Sequence, residues 1–557
     1  MRALRMRRCA RSALYVTLLA LAICIPGCVF WTHYDGYGDV AGYVFVSGSQ
    51  YAPGWASIHI GMDPPDGYVP WAFASVEVVG TNLRTDTDAY GRFALSGVPA
   101  GMRTLYISDG TRHSQYEYGQ PPSAVVLGGA APDTRSWTVM IYMIADNNLG
   151  RGSWSYMAQD LNEMETAYFD SSDISVLAFV DPPSVWPAGS DYLVSPGYEG
   201  ARVYEITRDA SGSNQIVSPV VASPRDQSGA IETDSADPEA LRSFVNWCKT
   251  FYPASRYALI LWDHGDGIAI HNDPDSRVVQ SRAIGPDEGL PAGPGKGFMD
   301  VDQIAHALSG LEVDLIGFDA CLMGGIEVVY ELRGCADVIV ASEEAEPGPG
   351  WDYSDALTRL STAYDAWQCG IELVESYADE HKNYSGALRV LTCSAVRTSE
   401  VEELVDRVDS LSQALDAALS DPPAWAGVRE GLMDALSGST RFGYIPGNRD
   451  YQYHYYDLAS LCEEICYGVS LSGWGLPRAQ AAQVADSAYG VLQWFEAAEA
   501  AGCLHSREIG DTGSYPCSGL SIYCAPPDTW NSDNPGYNYG QCEFARRTRW
   551  FEVMSRL

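Results

Sequence analysis

From residue 137 onward, apolar runs of strand length alternate with stretches of helical pattern, and this alternation constrains the fold more than any other feature of the chain. The runs are 137–145, 174–180, 257–262, 314–318 and 337–342; helical stretches 238–250, 301–308 and 322–332 lie between them. Strand–helix alternation of this kind predicts an α/β unit, a mainly parallel sheet flanked by helices on both faces. Beyond about residue 399 the chain becomes richer in helix, at 400–419 and 478–501, and then closes on a strand at 519–523.

Upstream the pattern is different. Short strand candidates at 42–46, 74–79 and 92–95 are separated by Gly, Pro and Asp turns, which predicts a small all-β domain over 37–128. The segment 128–133, Gly-Gly-Ala-Ala-Pro-Asp, reads as a linker. A chain of 557 residues is expected to hold two or three such units. The division expected is a signal at 1–28, the β domain at 37–128, a catalytic core at 137–420 and a helix-rich continuation of the same domain at 421–557.

The start of the chain carries an address. Arg2, Arg5, Arg7, Arg8 and Arg11 precede an apolar run from 13 to 25, the basic and hydrophobic regions of an export signal too short to span a membrane comfortably. The run ends Ile25-Pro26-Gly27-Cys28, which resembles a bacterial lipobox with Pro26 in place of the usual small residue. The expectation is an exported protein of the bacterial cell envelope, lipid-anchored to membrane through Cys28. A formal charge of −37 argues against nucleic acid as a partner and favours basic ligands.

Two of the strand runs lead into reactive side chains. Residues 258–262 run into Asp263-His264-Gly265-Asp266-Gly267, and 315–318 run into Asp319-Ala320-Cys321. In open parallel sheets ligands bind beyond the carboxyl ends of the strands, so both groups are expected at one edge. A thiol attacks as thiolate, and two features are expected to lower the pKa of Cys321: the imidazole, and the start of a helix just after Ala320. The backbone N–H groups of Gly265 and Cys321 are the candidate oxyanion donors. Asp319 has two readings, a helix cap or a group that meets substrate. No G-x-S-x-G elbow, H-E-x-x-H pair or Walker loop competes with this constellation.

At these residues the chain resembles the clostripain family of cysteine peptidases, relatives of the caspases. The resemblance is carried by 137–143 with Ala145-Asp146-Asn147-Asn148-Leu149, by 257–265, by Phe318-Asp319-Ala320-Cys321-Leu322-Met323, and by Ser342-Glu343-Glu344 through Trp351. It implies a caspase-like fold and a cysteine endopeptidase with a His264–Cys321 dyad, acting on protein or peptide substrates with Arg, less with Lys. In the family the acid two residues before the nucleophile selects Arg, which gives Asp319 a specificity role; Asp352 and Trp351 are further pocket candidates. Cleavage between histidine and cysteine in relatives points to self-processing after Arg277 or Arg282. No cofactor is expected to be required, although Asp273, Asp275, Asp287 and Glu288 crowd one loop and make calcium a possible ligand. The stretch Thr85 to Phe93, followed by Gly97-Val98-Pro99-Ala100-Gly101, resembles a carboxypeptidase regulatory-like β-sandwich. The rival reading is a non-catalytic surface protein that uses a peptidase fold for binding or adhesion; the presence of both His264 and Cys321 argues against it.

Of the 14 cysteines, four are assigned to signal, lipid and catalysis, and the even remainder permits disulfides in an exported protein. Cys503, Cys517, Cys524 and Cys542 crowd one turn-rich region and are the expected cross-linked set. Cys462 and Cys466, one helical turn apart, are not expected to pair.

Overall fold

A computed structural model describes residues 37–47, 54–55, 58–60, 68–88, 91–120, 125–127, 135–151, 155–183, 200–222, 234–268, 283–288, 297–445, 452–511, 513, 516–527 and 539–557. The signal with Cys28, the linker at 128–133, and Asp273, Asp275, Arg277, Arg282 and Lys296 lie outside the described residues.

The N-terminal domain is all-β, as its turn-punctuated short strands predict. Its strands are β1 (Tyr37–Ser47), β2 (Gly54–Trp55), β3 (Ile58–Ile60), β4 (Tyr68–Pro70), β5 (Ser75–Val78), β6 (Arg84–Asp86), β7 (Arg92–Pro99), β8 (Gly101–Ser108), β9 (Arg112–Gln120) and β10 (Val125–Leu127). They form two five-stranded sheets, one built around β1 and the other in the order β2-β9-β8-β5-β6. Alternate residues such as Val76, Val78, Leu105 and Ile107 point into a shared core with Val44, Trp71 and Phe93.

The second unit is built on a nine-stranded sheet. Its strands are β11 (Arg135–Ile144), β12 (Ile174–Asp181), β13 (Arg202–Glu205), β14 (Val220–Ala222), β15 (Ala254–Trp262), β16 (Leu315–Asp319), β17 (Val338–Ala341), β18 (Val390–Arg397) and, after four α-helices, β21 (Leu504–Gly510). The spatial order is β14-β13-β12-β11-β15-β16-β17-β18-β21. The five central strands, β12 to β17, are mutually parallel, and the outer strands on both sides run antiparallel. Each central strand is apolar on both faces because both are covered. Met140, Tyr142 and Ile144 of β11 face one core; Val139, Ile141 and Met143 face the other. Helices Tyr156–Thr166, Tyr353–Leu360 and Ala366–His381 cover the second face, and helices Pro238–Phe251, Val301–Leu308, Ile326–Leu332 and Val401–Leu419 the first. A fully buried Val, Leu or Ile at such a position contributes roughly 1.5–3 kcal/mol. The remaining strands, β19 (Arg441–Tyr444), β20 (Gln452–Asp457) and β22 (Ser521–Tyr523), form a small antiparallel sheet beside the loops that follow β15 and β16.

One helix begins later than the pattern suggests. The apolar stretch from 322 predicts a helix from Leu322, yet the helix spans Ile326–Leu332 and starts after Gly325. The intervening residues bond outward instead: Leu322 N–H donates to Glu344 O at 3.1 Å and Gly324 N–H to Ser342 O at 2.7 Å. Leu322 takes a left-handed conformation with φ 63°. The segment after Cys321 is therefore a turn bonded to a neighbouring loop.

The two units meet at Arg92 on β7. Its guanidinium binds Asp88 at 2.7 Å, Tyr252 Oη at 2.5 Å and Glu205 Oε2 at 3.3 Å, and it is only 8% exposed. The ring of Tyr43 meets Phe251 edge-on, with centroids 6.0 Å apart. Tyr252 stands two residues before β15, so this junction lies at the amino-terminal end of the parallel strands. Among the described residues no helix is long and apolar enough to cross a membrane. Cys503, Cys517, Cys524 and Cys542 all carry free thiols, which corrects the expected cross-linked set; Cys462 and Cys466 are also free.

Candidate active site

Register sets the site. On the adjacent parallel strands β15 and β16, Trp262 pairs with Asp319, and the Asp263 N–H donates to Asp319 O at 3.3 Å. His264 and Cys321 each stand two residues beyond that pair, so they leave the same edge of the sheet side by side. The expectation of one shared edge is met.

The histidine turn is held from β11. Asn147 Nδ2 donates to Asp263 Oδ1 at 2.8 Å and to the carbonyls of Ile144 and Pro286, and Asp263 Oδ1 also accepts the His264 N–H at 2.6 Å. The imidazole Nε2 lies 2.9 Å from Asn148 Oδ1. Burial lowers the pKa of His264, and Glu288 opposes that shift. The ring is accordingly neutral at neutral pH. Gly265 has to be glycine: a Cβ there would lie 2.3 Å from the Cys321 carbonyl oxygen and 2.9 Å from its nitrogen. The Gly265 and Cys321 N–H groups donate to no acceptor among the described residues.

Cys321 is partly exposed. Its Sγ accepts the Glu346 N–H at 3.2 Å and shares no hydrogen bond with His264 in this arrangement. Burial, followed by the charges of Glu346, Glu344 and Asp319, pushes its pKa up to about 12. This corrects the expected lowering. The helix start is displaced to Ile326, and acids surround the thiol, so it rests protonated beside a neutral imidazole.

Asp319 ends β16 and caps no helix, which removes that reading. Its carboxyl is 5% exposed, accepts Tyr353 Oη at 2.9 Å and sits against Gly350, where a Cβ would come within 2.5 Å of Oδ1. Burial raises its pKa to about 6. Glu346 lies beside it, its carboxyl buried against Asp319 and Trp351, and burial and Asp319 hold its pKa far above the usual range. Asp160, which accepts the Trp262 indole N–H at 2.7 Å, is raised for the same reasons. Three carboxyls thus share one confined region behind the thiol.

Trp351 is buried, with its indole against Gly317 of β16. Asp352 is committed elsewhere: its Oδ1 accepts the N–H groups of Ser354 and Asp355 and caps the helix Tyr353–Leu360. Of the acidic loop, Asp287 Oδ2 accepts Ser235 N–H and Oγ–H, and Glu288 pairs with Arg151. Among the described residues no cluster of three potential metal ligands occurs. Sequence reasoning did not single out Asn148, Asp160 or Glu346. Asn148 was visible only as part of the 145–149 motif, and Glu346 as one acid in the Ser342–Trp351 loop.

Comparison with known proteins bears on this arrangement. The model of the clostripain family matches residues 141–470. Clostripain of Hathewaya histolytica is 32% identical over 234 residues, which cover 40% of this chain and 42% of that protein. The chain is thus matched to less than half the length of this curated relative. Two solved structures are similar at 19% identity. A secreted C11 cysteine protease from Bacteroides thetaiotaomicron, in complex with an irreversible peptide inhibitor, covers 76% of this chain and 99% of its own at a TM-score of 0.48. An inactive zymogen C11 protease from Parabacteroides distasonis covers 75% and 99% at a TM-score of 0.47.

Proposed function

The chain belongs to the clostripain family, and on that footing we propose that it is a cysteine endopeptidase whose nucleophile is Cys321 and whose proton acceptor is His264. The observation that carries the reading is the register of β15 and β16, which delivers an imidazole and a thiol to one sheet edge beside two backbone N–H groups that have no acceptor among the described residues. Because the thiol rests protonated, His264 acts as a general base during attack and no preformed ion pair is needed. The Cys321 sulfur adds to the scissile carbonyl, and the Gly265 and Cys321 N–H groups take the developing oxyanion. The proton held by His264 then passes to the leaving amine, and water releases the acyl group from the thioester.

Arg is the residue favoured before the scissile bond, with Lys second. The support is the acidic region of Asp319, Glu346 and Asp160 behind the thiol, walled by Trp351 and Tyr353. A guanidinium meets carboxylates through paired charge-assisted hydrogen bonds, which an ammonium cannot do. Asp352 takes no part in this proposal, since its carboxylate is spent on a helix cap. Export and anchoring through Cys28, and self-cleavage after Arg277 or Arg282, complete the reading; the sequence motifs support them.

The test is cleavage of fluorogenic peptides bearing Arg, Lys, Leu or Glu before the scissile bond, by the soluble body and its Cys321→Ala variant. Labelling by a basic acyloxymethyl ketone reads the same site independently. A folded protein that neither cleaves nor labels would leave the non-catalytic reading standing.

A further inference from the structure

We propose that Asn148 is a positioning residue of this site, fixing the His264 ring in the tautomer with the proton on Nε2 so that Nδ1 is the atom that takes the Cys321 proton. The proposal rests on the His264–Cys321 reading.

The loop after β11 is built to hold this side chain in place. Asn147 Nδ2 ties it to Ile144, Asp263 and Pro286 at once, and Asn147 Oδ1 accepts the Leu149 N–H at 2.8 Å. A Cβ at Gly150 would fall 1.9 Å from the Ala145 carbonyl oxygen, so the loop closes on itself more tightly than any other residue there would permit. The Tyr156 N–H returns to Leu149 O at 3.0 Å and seats the loop on helix Tyr156–Thr166. Asn148 projects from this braced turn and places Oδ1 2.9 Å from Nε2 of His264. A carbonyl oxygen only accepts, so Nε2 carries the hydrogen and donates. Nδ1 has no hydrogen-bond partner among the described residues and keeps its lone pair.

In the reaction the Cys321 S–H proton moves to Nδ1 as the sulfur lone pair forms the bond to the scissile carbon. The resulting imidazolium keeps its Nε2–H···Asn148 bond, now charge-assisted and stronger than in the ground state. The Nδ1 proton then goes to the amine nitrogen as the C–N bond breaks. An amide acceptor supports the cation without adding a charge. Glu288, itself paired with Arg151, is the charged group acting on the ring, and the Asp263 carboxyl is turned to the His264 backbone N–H.

The experiment compares Asn148→Ala and Asn148→Asp with the wild type. Asn148→Ala should lower kcat on the order of 10- to 100-fold, part of what general-base catalysis supplies, with KM and melting temperature little changed. Asn148→Asp keeps an acceptor and adds a negative charge, so it should recover rate relative to Ala. It should also move the acid limb of the kcat/KM profile upward by about one pH unit. Nitrogen NMR of His264 in a Cys321→Ala background gives a reading independent of turnover: Nε2–H in the parent, mixed tautomers after Asn148→Ala, and a raised titration midpoint after Asn148→Asp. An Nδ1–H ring in the parent, or a midpoint unmoved by Asn148→Asp, overturns the proposal. So does a loss of melting temperature common to both variants with the acid limb in place. Inactivity of the wild type on every peptide would instead count against the catalytic reading, and the NMR arm would still decide the role of Asn148.

Discussion

The sulfur of Cys321 accepts a hydrogen bond from the backbone N–H of Glu346, at 3.2 Å. The residue that steadies the nucleophile thus also contributes a carboxyl to the acidic region next to it. Burial above all, and those acids after it, hold the proton on the thiol. A guanidinium entering beside Asp319 would cancel much of their field, so the substrate that the region attracts is also the one that eases loss of the thiol proton.

Removing either reacting group should stop turnover. Cys321→Ala and His264→Ala are each expected to lower kcat on the order of 10³-fold or more with little further loss in the double variant, because the two act as a unit. Circular dichroism checks that both remain folded. Retained activity in a folded Cys321→Ala protein would exclude the mechanism.

Asp319→Asn separates recognition from reactivity. Charge-assisted hydrogen bonds are worth about 1.5–3 kcal/mol, so kcat/KM for Arg peptides should fall tens-fold or more. Alkylation by a small neutral reagent should hold or quicken, since one charge that raises the thiol pKa is gone. In the parent, KM for Arg peptides should rise as pH falls through about 6, where Asp319 takes up its proton. Stability should show the opposite preference. The folded pKa lies above the ordinary 3.8, so the folded chain binds more protons and this carboxyl subtracts stability as pH rises from 3.8 to about 6. Asp319→Asn should therefore raise the melting temperature more at about pH 8 than at about pH 4.

Gly265→Ala tests the close approach of the two turns. The added methyl would overlap the Cys321 carbonyl, so the variant should lose about 1–3 kcal/mol of stability by denaturant titration, with kcat reduced through displacement of both turns. Wild-type kcat in this variant would show that the turns have room the structure does not indicate.

The parts of this protein legible in sequence are those set by local pattern. The doubly covered sheet announces itself as continuous apolar runs, and β15 and β16 end where Asp263 and Asp319 break them. The start of helix Ile326–Leu332 is not legible in sequence, because Leu322 and Met323 continue an apolar pattern while the backbone N–H groups of Leu322 and Gly324 are claimed by Glu344 and Ser342, a partnership no local rule reveals. Asn148 and His264 are 116 positions apart, and Glu346 reaches Cys321 through its backbone, so side-chain chemistry gives no hint of that contact.

Lipidation is checked by mass spectrometry of the protein made in a bacterial host. Diacylglycerol on an N-terminal Cys28 is the expected result; a mature terminus elsewhere without lipid would remove the anchor.

Self-processing predicts two associated chains after incubation, with new termini following Arg277 or Arg282. The Cys321→Ala variant should stay intact. Full activity in an uncut Arg277→Ala, Arg282→Ala double variant would show that cutting is dispensable.

The Arg92 junction gives the proposed anchor a direction. The β domain is clamped to the amino-terminal end of the parallel strands, and the reactive groups emerge at the carboxyl end. With nine residues in β15 at about 3.3 Å each, the two poles stand roughly 30 Å apart. A protein tethered through its first domain would therefore hold its cleft pointing away from the bilayer, toward polypeptides in the surrounding space, and would reach poorly for segments lying flat against the membrane that holds it.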